Sequence, residues 1–229
     1  MSKQKRYILQ ENDLPKQWYN ILADMPNKPL PPLNPATKKP VSVDDLANIF
    51  AKACAEQELD TQNAWIDIPE EVQEKYKYYR STPLVRAYAL EEALQTPAHI
   101  YFKNESVNPI GSHKVNSALP QCYYCKQEGV TNVTTETGAG QWGAALSYAA
   151  SVYGLSAAVY QVKISMQQKP YRSLVMRTFG AAVTGSPSMS TRAGKNIITR
   201  DPMHQGSLVT AISEAVELAT TTPNCKYTL

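Results

Sequence analysis

Residues 130–154, VTNVTTETGAGQWGAALSYAASVYG, constrain the fold more than any other part of the chain. A β-branched run leads into a glycine turn, and an alanine-rich segment follows until Gly154. β-Branched residues favour strands and alanine favours helices, so the stretch reads as strand, tight turn and helix. The same alternation recurs around it. HIYFKNE (99–105) is strand-like, 111–129 helical despite Pro120, 130–136 a strand, and 140–154 a helix. Beyond come a strand over 155–164, a helix over 167–180, a short strand over 181–186, and helices over 189–201 and 207–220. Strands alternating with helices of this length imply βαβ units, hence an α/β fold with a mostly parallel sheet and flanking helices. Ligands of such sheets bind in turns beyond the carboxyl ends of strands. That singles out two turns, NESVNPIGSHK (104–114) and ETGAGQWG (136–143).

Residues 1–80 read differently, as an irregular and partly helical extension to the α/β domain of 81–229. MPNKPLPPLNPATKKPVS (25–42) is too proline-rich for regular structure. It links a short amphipathic piece (15–22) to a helix that Ser42 or Asp44 caps, and DIPEEVQEKYKYY adds another short helix. A length of 229 residues suits one large or two small domains, and a net charge of +3 does not demand nucleic acid or an anionic membrane. The first residues have no apolar core of a secretory signal, and no apolar run approaches a membrane span, so a cytoplasmic protein is expected. Cys122 and Cys125 form a C-x-x-C within a helical stretch. With the other cysteines and the three histidines scattered, they read as reduced structural thiols, and no metal site is expected.

Gly138, Gly140 and Gly143 have the G-x-G-x-x-G spacing of a dinucleotide-binding turn. That fingerprint also needs an acidic residue about 20 positions on, yet no Asp or Glu occurs between Glu136 and Asp201. Glu136 also stands directly before the turn, where it would oppose a pyrophosphate on the helix N-terminus. A smaller anion suits the place better. A carboxylate cradle with an adjacent glutamate fits an enzyme acting on an amino acid, the glutamate handling a proton. The plainer alternative is that the glycines only permit tight strand-to-helix packing. In the other turn Lys114 stands just inside a helix start, where the dipole disfavours a cation. A Schiff-base nucleophile gives a lysine a reason to be there, although most lysines are simply solvated.

Four stretches taken in order, RSTPLVRAYALEEAL (80–94), IYFKNESVNPIGSHKVN (100–116), TTETGAGQWG (134–143) and VKISMQQKPYRSLVMRTFGAAV (162–183), resemble tryptophan synthase beta chains, which are fold-type II pyridoxal-phosphate enzymes. The extension, with LPKQWYNI and NAWIDIPEEV, resembles the longer, second subgroup of that family. The resemblance implies that Lys114 holds pyridoxal 5'-phosphate and shuttles the substrate α-proton, with His113 and Asn116 beside the cofactor. It implies that Glu136 is the acid–base residue. Thr137, Gly138, Ala139, Gly140 and Gln141 would cradle the substrate carboxylate. Trp142 stands where the larger subgroup has histidine, and is expected to alter the carboxylate pocket.

The implied reaction is β-replacement, converting L-serine and indole to L-tryptophan. An alpha chain and a homodimer are the implied partners. Members of the family continue for roughly as many residues again, with a second domain that grips the cofactor phosphate. By that measure the chain reads as an N-terminal half, expected to bind the cofactor weakly and turn over little. Two alternatives stand beside this reading. One is another pyridoxal-phosphate enzyme of serine elimination or replacement, against which the Glu136-Thr137-Gly138 order argues. The other is an inactive fragment that serves as a binding module.

Overall fold

The computed structural model describes residues 4–229; residues 1–3 of the expected extension lie outside it. Strands are β1 Arg6–Tyr7, β2 Gln17–Tyr19, β3 Trp65–Asp67, β4 Leu84–Arg86, β5 Tyr101–Lys103, β6 Asn132–Thr137, β7 Ser156–Val162, β8 Ala182–Ser186 and β9 Cys225–Tyr227. Helices are α1 Val43–Ala47, α2 Lys52–Leu59, α3 Glu70–Lys77, α4 Tyr88–Ala93, α5 Val115–Gln127, α6 Gln141–Tyr153, α7 Lys163–Gln168, α8 Pro170–Thr178, α9 Arg192–Arg200 and α10 Leu208–Thr221.

A four-stranded sheet of order β8-β7-β6-β9 forms the centre, and each of its pairings is parallel. Strand alternation divides its side chains between two packed layers. Val133, Ala157 and Val159 join α5, α6 and Met176 in one core, while Tyr160 and Val162 join Ala211, Ala215 and Ala219 of α10 in the other. Helices thus cover both faces, as a parallel sheet requires. Gly154 ends α6 in the left-handed conformation, as a C-terminal glycine does. No helix among the described residues is long and apolar enough to cross a membrane.

Four expectations change. The strand at 99–105 does not open the parallel sheet: β5 lies at one edge of an antiparallel sheet of order β1-β4-β5. All three of its residues are exposed, which a central parallel strand does not tolerate. The single helix expected over 167–180 begins at Pro170, because proline cannot continue α7 but suits the first position of α8. Strand β9, like the short strands β1 to β4, has no counterpart among the expected strands. The helix after Ser42 is also broken into α1 and α2, with Ser42 and Asp45 forming a capping box.

The extension is built into the same core. Ala51, Ile68, Val72 and Tyr76 pack with the buried face of α5. Pro120 explains one anchor. It lacks the N–H that would bond the carbonyl four residues back, that of Asn116. The Tyr76 hydroxyl donates to that carbonyl instead, at 2.5 Å. Cys122 and Cys125 are fully buried free thiols on the same helix.

Candidate active site

The loop before α5 is wound around one side chain. Asn108, buried, accepts from the backbone N–H groups of Ile110 (3.1 Å) and Ser112 (3.2 Å). Its amide donates to the Ser112 carbonyl at 2.9 Å and to Glu105 at 3.0 Å. This fixes the approach to Lys114, the N-cap residue of α5. Lys114 is half-buried, and its backbone N–H reaches Ser112 Oγ at 3.4 Å. Among the described residues its amine makes no hydrogen bond or ion pair. His113 is exposed in the turn. Asn116 is directed elsewhere: its side-chain carbonyl accepts from the Tyr79 hydroxyl at 2.9 Å. It also lines a cavity of about 790 Å³ between the extension and α5.

Alternation along β6 sets the second half of the site. Thr135 and Thr137 face α6, where Thr135 Oγ1 accepts from the Trp142 indole at 2.7 Å and Thr137 Oγ1 from the Gly143 amide at 3.2 Å. Glu136 has the opposite parity. It is buried, and its Oε2 accepts from the Tyr227 hydroxyl at 2.5 Å. Burial first, then the hydrogen bond and charge of Glu136, raise the Tyr227 phenol above its ordinary range, so it stays a donor. Tyr227 lies on β9 and was missed at the sequence level.

The glycines of the turn have separate duties. Gly138 faces open space: a Cβ there would meet nothing within 4 Å. Gly140 is the N-cap of α6 with φ of 96°, a left-handed conformation suited to glycine. Gly143 lets α6 approach the sheet, since its Cβ would lie 2.6 Å from Met176 Sδ and 2.8 Å from Val159 Cγ1. Ala139 and Gln141 are exposed at the mouth of the turn. The first backbone N–H groups of a helix lack intrahelical partners, so Gln141 and Trp142 present amides there. The Trp142 side chain does not. Its ring is buried in the main core and its N–H also reaches the Thr228 carbonyl at 3.3 Å.

One side chain ties the two turns together. Arg172 of α8 packs its Cβ 2.7 Å from where a Gly140 Cβ would stand, and its Nη1 donates to the Ile110 carbonyl at 3.3 Å. The structure therefore brings the Lys114 loop and the Gly138–Gly140 turn to a common point.

The chain is 53% identical over 221 residues to tryptophan synthase beta chain 2 of Thermotoga maritima, covering 96% of this chain and 52% of that one. It is 49% identical over 227 residues to tryptophan synthase beta chain 2 of Methanosarcina acetivorans, covering 99% and 51%. The chain thus spans about half the length of the curated relatives it matches. A solved fungal L-serine ammonia-lyase from Rhizomucor miehei aligns with a TM-score of 0.48 and 21% identity, covering 66% of this chain and 40% of that one. The pyridoxal-phosphate dependent enzyme family matches residues 76–227, from the end of α3 through β9 and both candidate turns. With most of its length inside that match, this chain belongs to the family of pyridoxal-phosphate dependent enzymes.

Proposed function

We propose that this chain carries the amino-terminal catalytic groups for joining L-serine and indole into L-tryptophan. The observation that carries the reading is a Lys114 amine without a partner among the described residues, in a loop that Arg172 ties to the Gly140 turn following the buried Glu136. The residues fit pyridoxal phosphate. Imine formation needs a primary amine without a competing partner, and Lys114 offers one among the described residues. His113, next in sequence and exposed, is open to an anionic group. When bound, the cofactor supplies an electron sink that makes the α-proton of an amino acid removable.

The chain's own groups do the rest. Amides at the start of α6 hold the serine carboxylate, and the open space at Gly138 lets it approach the backbone. Lys114 Nζ takes the α-proton. Glu136 delivers a proton to the departing hydroxyl from one carboxyl oxygen, while Tyr227 holds the other. Burial of Glu136 keeps water from that exchange. An indole carbon then bonds to the β-carbon that lost the hydroxyl, the proton it sheds passes to Glu136, and Lys114 returns a proton to the α-carbon. The relatives named tryptophan synthase beta chain 2 support the choice of reaction. A cytoplasmic location, a homodimer and an alpha partner belong to the same reading.

The test is chemical. The chain is incubated with pyridoxal 5'-phosphate, reduced with borohydride, digested and mapped by mass spectrometry. The expected product is a reduced adduct concentrated on Lys114, depleted by added serine. Adducts scattered over the lysines without preference for Lys114 would overturn the proposal. Serine with and without indole then separates replacement from elimination: tryptophan marks the first, and pyruvate alone marks the second.

A further inference from the structure

We infer that Arg172 is a ligand-binding residue, which receives an anionic group of the molecule held between the Lys114 loop and the Gly138–Gly140 turn. This rests on the site proposed above and adds to it a determinant of which molecules it accepts. The stem of Arg172 crosses the turn where Gly140 has no side chain: a Gly140 Cβ would lie 2.7 Å from Arg172 Cβ and 3.1 Å from Cγ. Its head reaches the other loop through the Ile110 carbonyl at 3.3 Å. A guanidinium has five N–H donors. Among the described residues that one contact is its only hydrogen bond, and it forms no ion pair.

Other donors gather at the same point without acceptors. The amides of Gln141 and Trp142 lack intrahelical partners, while that of Gly143 is taken by Thr137 Oγ1. The side chain of Gln161 is fully buried at the carboxyl end of β7, in register with Thr137. Its Oε1 accepts from Ser173 at 2.8 Å, but its Nε2 has no partner and lies 3.5 Å from the Gly140 Cβ position. A half-buried cation and a buried orphan donor beside a helix N-terminus make an acceptor-poor spot that favours a carboxylate or phosphate.

Both a substrate carboxylate and a cofactor phosphate have this chemistry, so the experiment has two arms. The full chain and its Arg172→Met and Arg172→Lys variants are treated as above, with the Lys114 adduct quantified by mass spectrometry. One arm compares pyridoxal 5'-phosphate with pyridoxal, by the concentration that half-labels Lys114. The other compares L-serine with 2-aminoethanol, by the concentration that halves the adduct. Methionine keeps an unbranched stem over Gly140 and removes the charge. Arg172→Met is expected to weaken the anionic member of one pair about tenfold or more and leave its neutral analogue within about twofold. Arg172→Lys is expected to recover part of the loss. The pair that responds names the anion. Equal changes in both members of each pair, or none, would leave Arg172 a structural brace and overturn the inference alone. No Lys114 adduct in the unaltered chain would overturn the proposed function and this inference together. Unfolding is followed for every variant; if Arg172→Met does not fold, Arg172→Gln, which keeps a donor for Ile110, gives the same reading.

Discussion

Replacing the three glycines of the turn one at a time by alanine separates packing from binding. At Gly143 the new methyl would stand 2.6 Å from Met176 Sδ, 2.8 Å from Val159 Cγ1 and 2.9 Å from Thr137 Cγ2. Met176 can shift a little, but Val159 and Thr137 are branched and fixed on paired strands. Overpacking of this kind costs about 1–3 kcal/mol, and replacing a helical glycine returns up to about 1 kcal/mol of propensity. The net loss for Gly143→Ala is therefore roughly 1–2 kcal/mol. Gly140→Ala adds left-handed strain of about 1–2 kcal/mol to a 2.7 Å contact with Arg172 Cβ, giving roughly 2–4 kcal/mol. Gly138→Ala meets nothing and stays within about 0.5 kcal/mol. Urea titration and thermal melts report the order, at roughly 2–4 °C per kcal/mol for a chain of this size. Lys114 labelling by the cofactor and its release by serine report binding. Gly138→Ala is expected to keep stability and lose serine affinity. If it destabilises as much as Gly143→Ala, or leaves serine affinity untouched, Gly138 is not the open side of a ligand cradle.

Other outcomes follow from the same geometry. Tyr227→Phe removes the donor to Glu136 Oε2 and leaves a buried carboxylate short of a hydrogen bond, so a loss of about 1–3 kcal/mol in urea titration is expected; unchanged stability would argue that the pair is not formed in solution. Trp142→His leaves a void in the core but keeps the backbone amide, so stability should fall by about 2–4 kcal/mol while serine still displaces the Lys114 adduct at a concentration within about twofold; a large change in serine affinity alone would return the Trp142 ring to the pocket. Burial pushes the Cys54 and Cys125 thiols up to about 12 and Cys225 to about 11, from an ordinary 9.0. The unfolded chain releases these protons first, so stability is fully present below pH 9.0 and falls as pH rises from there toward 12; a urea midpoint that stays constant from pH 8 to 11 would contradict it.

The centre of the fold was legible because its signals are local. The β6–α6–β7 unit shows itself through β-branched runs, an alanine-rich helix and glycines at both helix ends. The peripheral pieces were not, for identifiable reasons. A three-residue strand has too few alternations to reveal its sheet, so β5 read as the first parallel strand although it pairs antiparallel with β4. Cys225–Tyr227 carries no strand pattern and is held by pairing with β6 across more than 90 residues. In the candidate site, Lys114 and Glu136 stand out by their places at helix and strand ends. Asn108 left a faint trace in the Asn-Pro pair of its turn. Tyr227 and Arg172 left none, because each is defined by partners 91 and 62 residues away. Asn116, singled out by resemblance, proves to be engaged with Tyr79 on the extension side of α5.

The same contrast explains why glycine spacing misleads about ligands. A parallel strand that turns sharply into a helix needs a left-handed residue at the cap and a small residue where the helix meets the sheet. Gly140 and Gly143 meet those demands whatever the turn binds. Only Gly138, which relieves no contact inside the protein, is free for a ligand's sake. The nature of that ligand is written in the charges around the turn. Glu136 on one side opposes a pyrophosphate resting directly above it. On the other side Arg172 has spare donors and the Gln161 amide has no acceptor, which by the inference above suits an anion. A small zwitterion, with its carboxylate on the donor side and its reacting carbon between amine and carboxylate, satisfies both. The electrostatic asymmetry across the turn, more than its spacing, separates an amino-acid cradle from a nucleotide site. Reversing it tests the point: Glu136→Gln should relax the discrimination against phosphate-rich anions, measured as competition by pyrophosphate for the Lys114 adduct. Unchanged competition would remove Glu136 from the selection of the ligand and leave it only its proton.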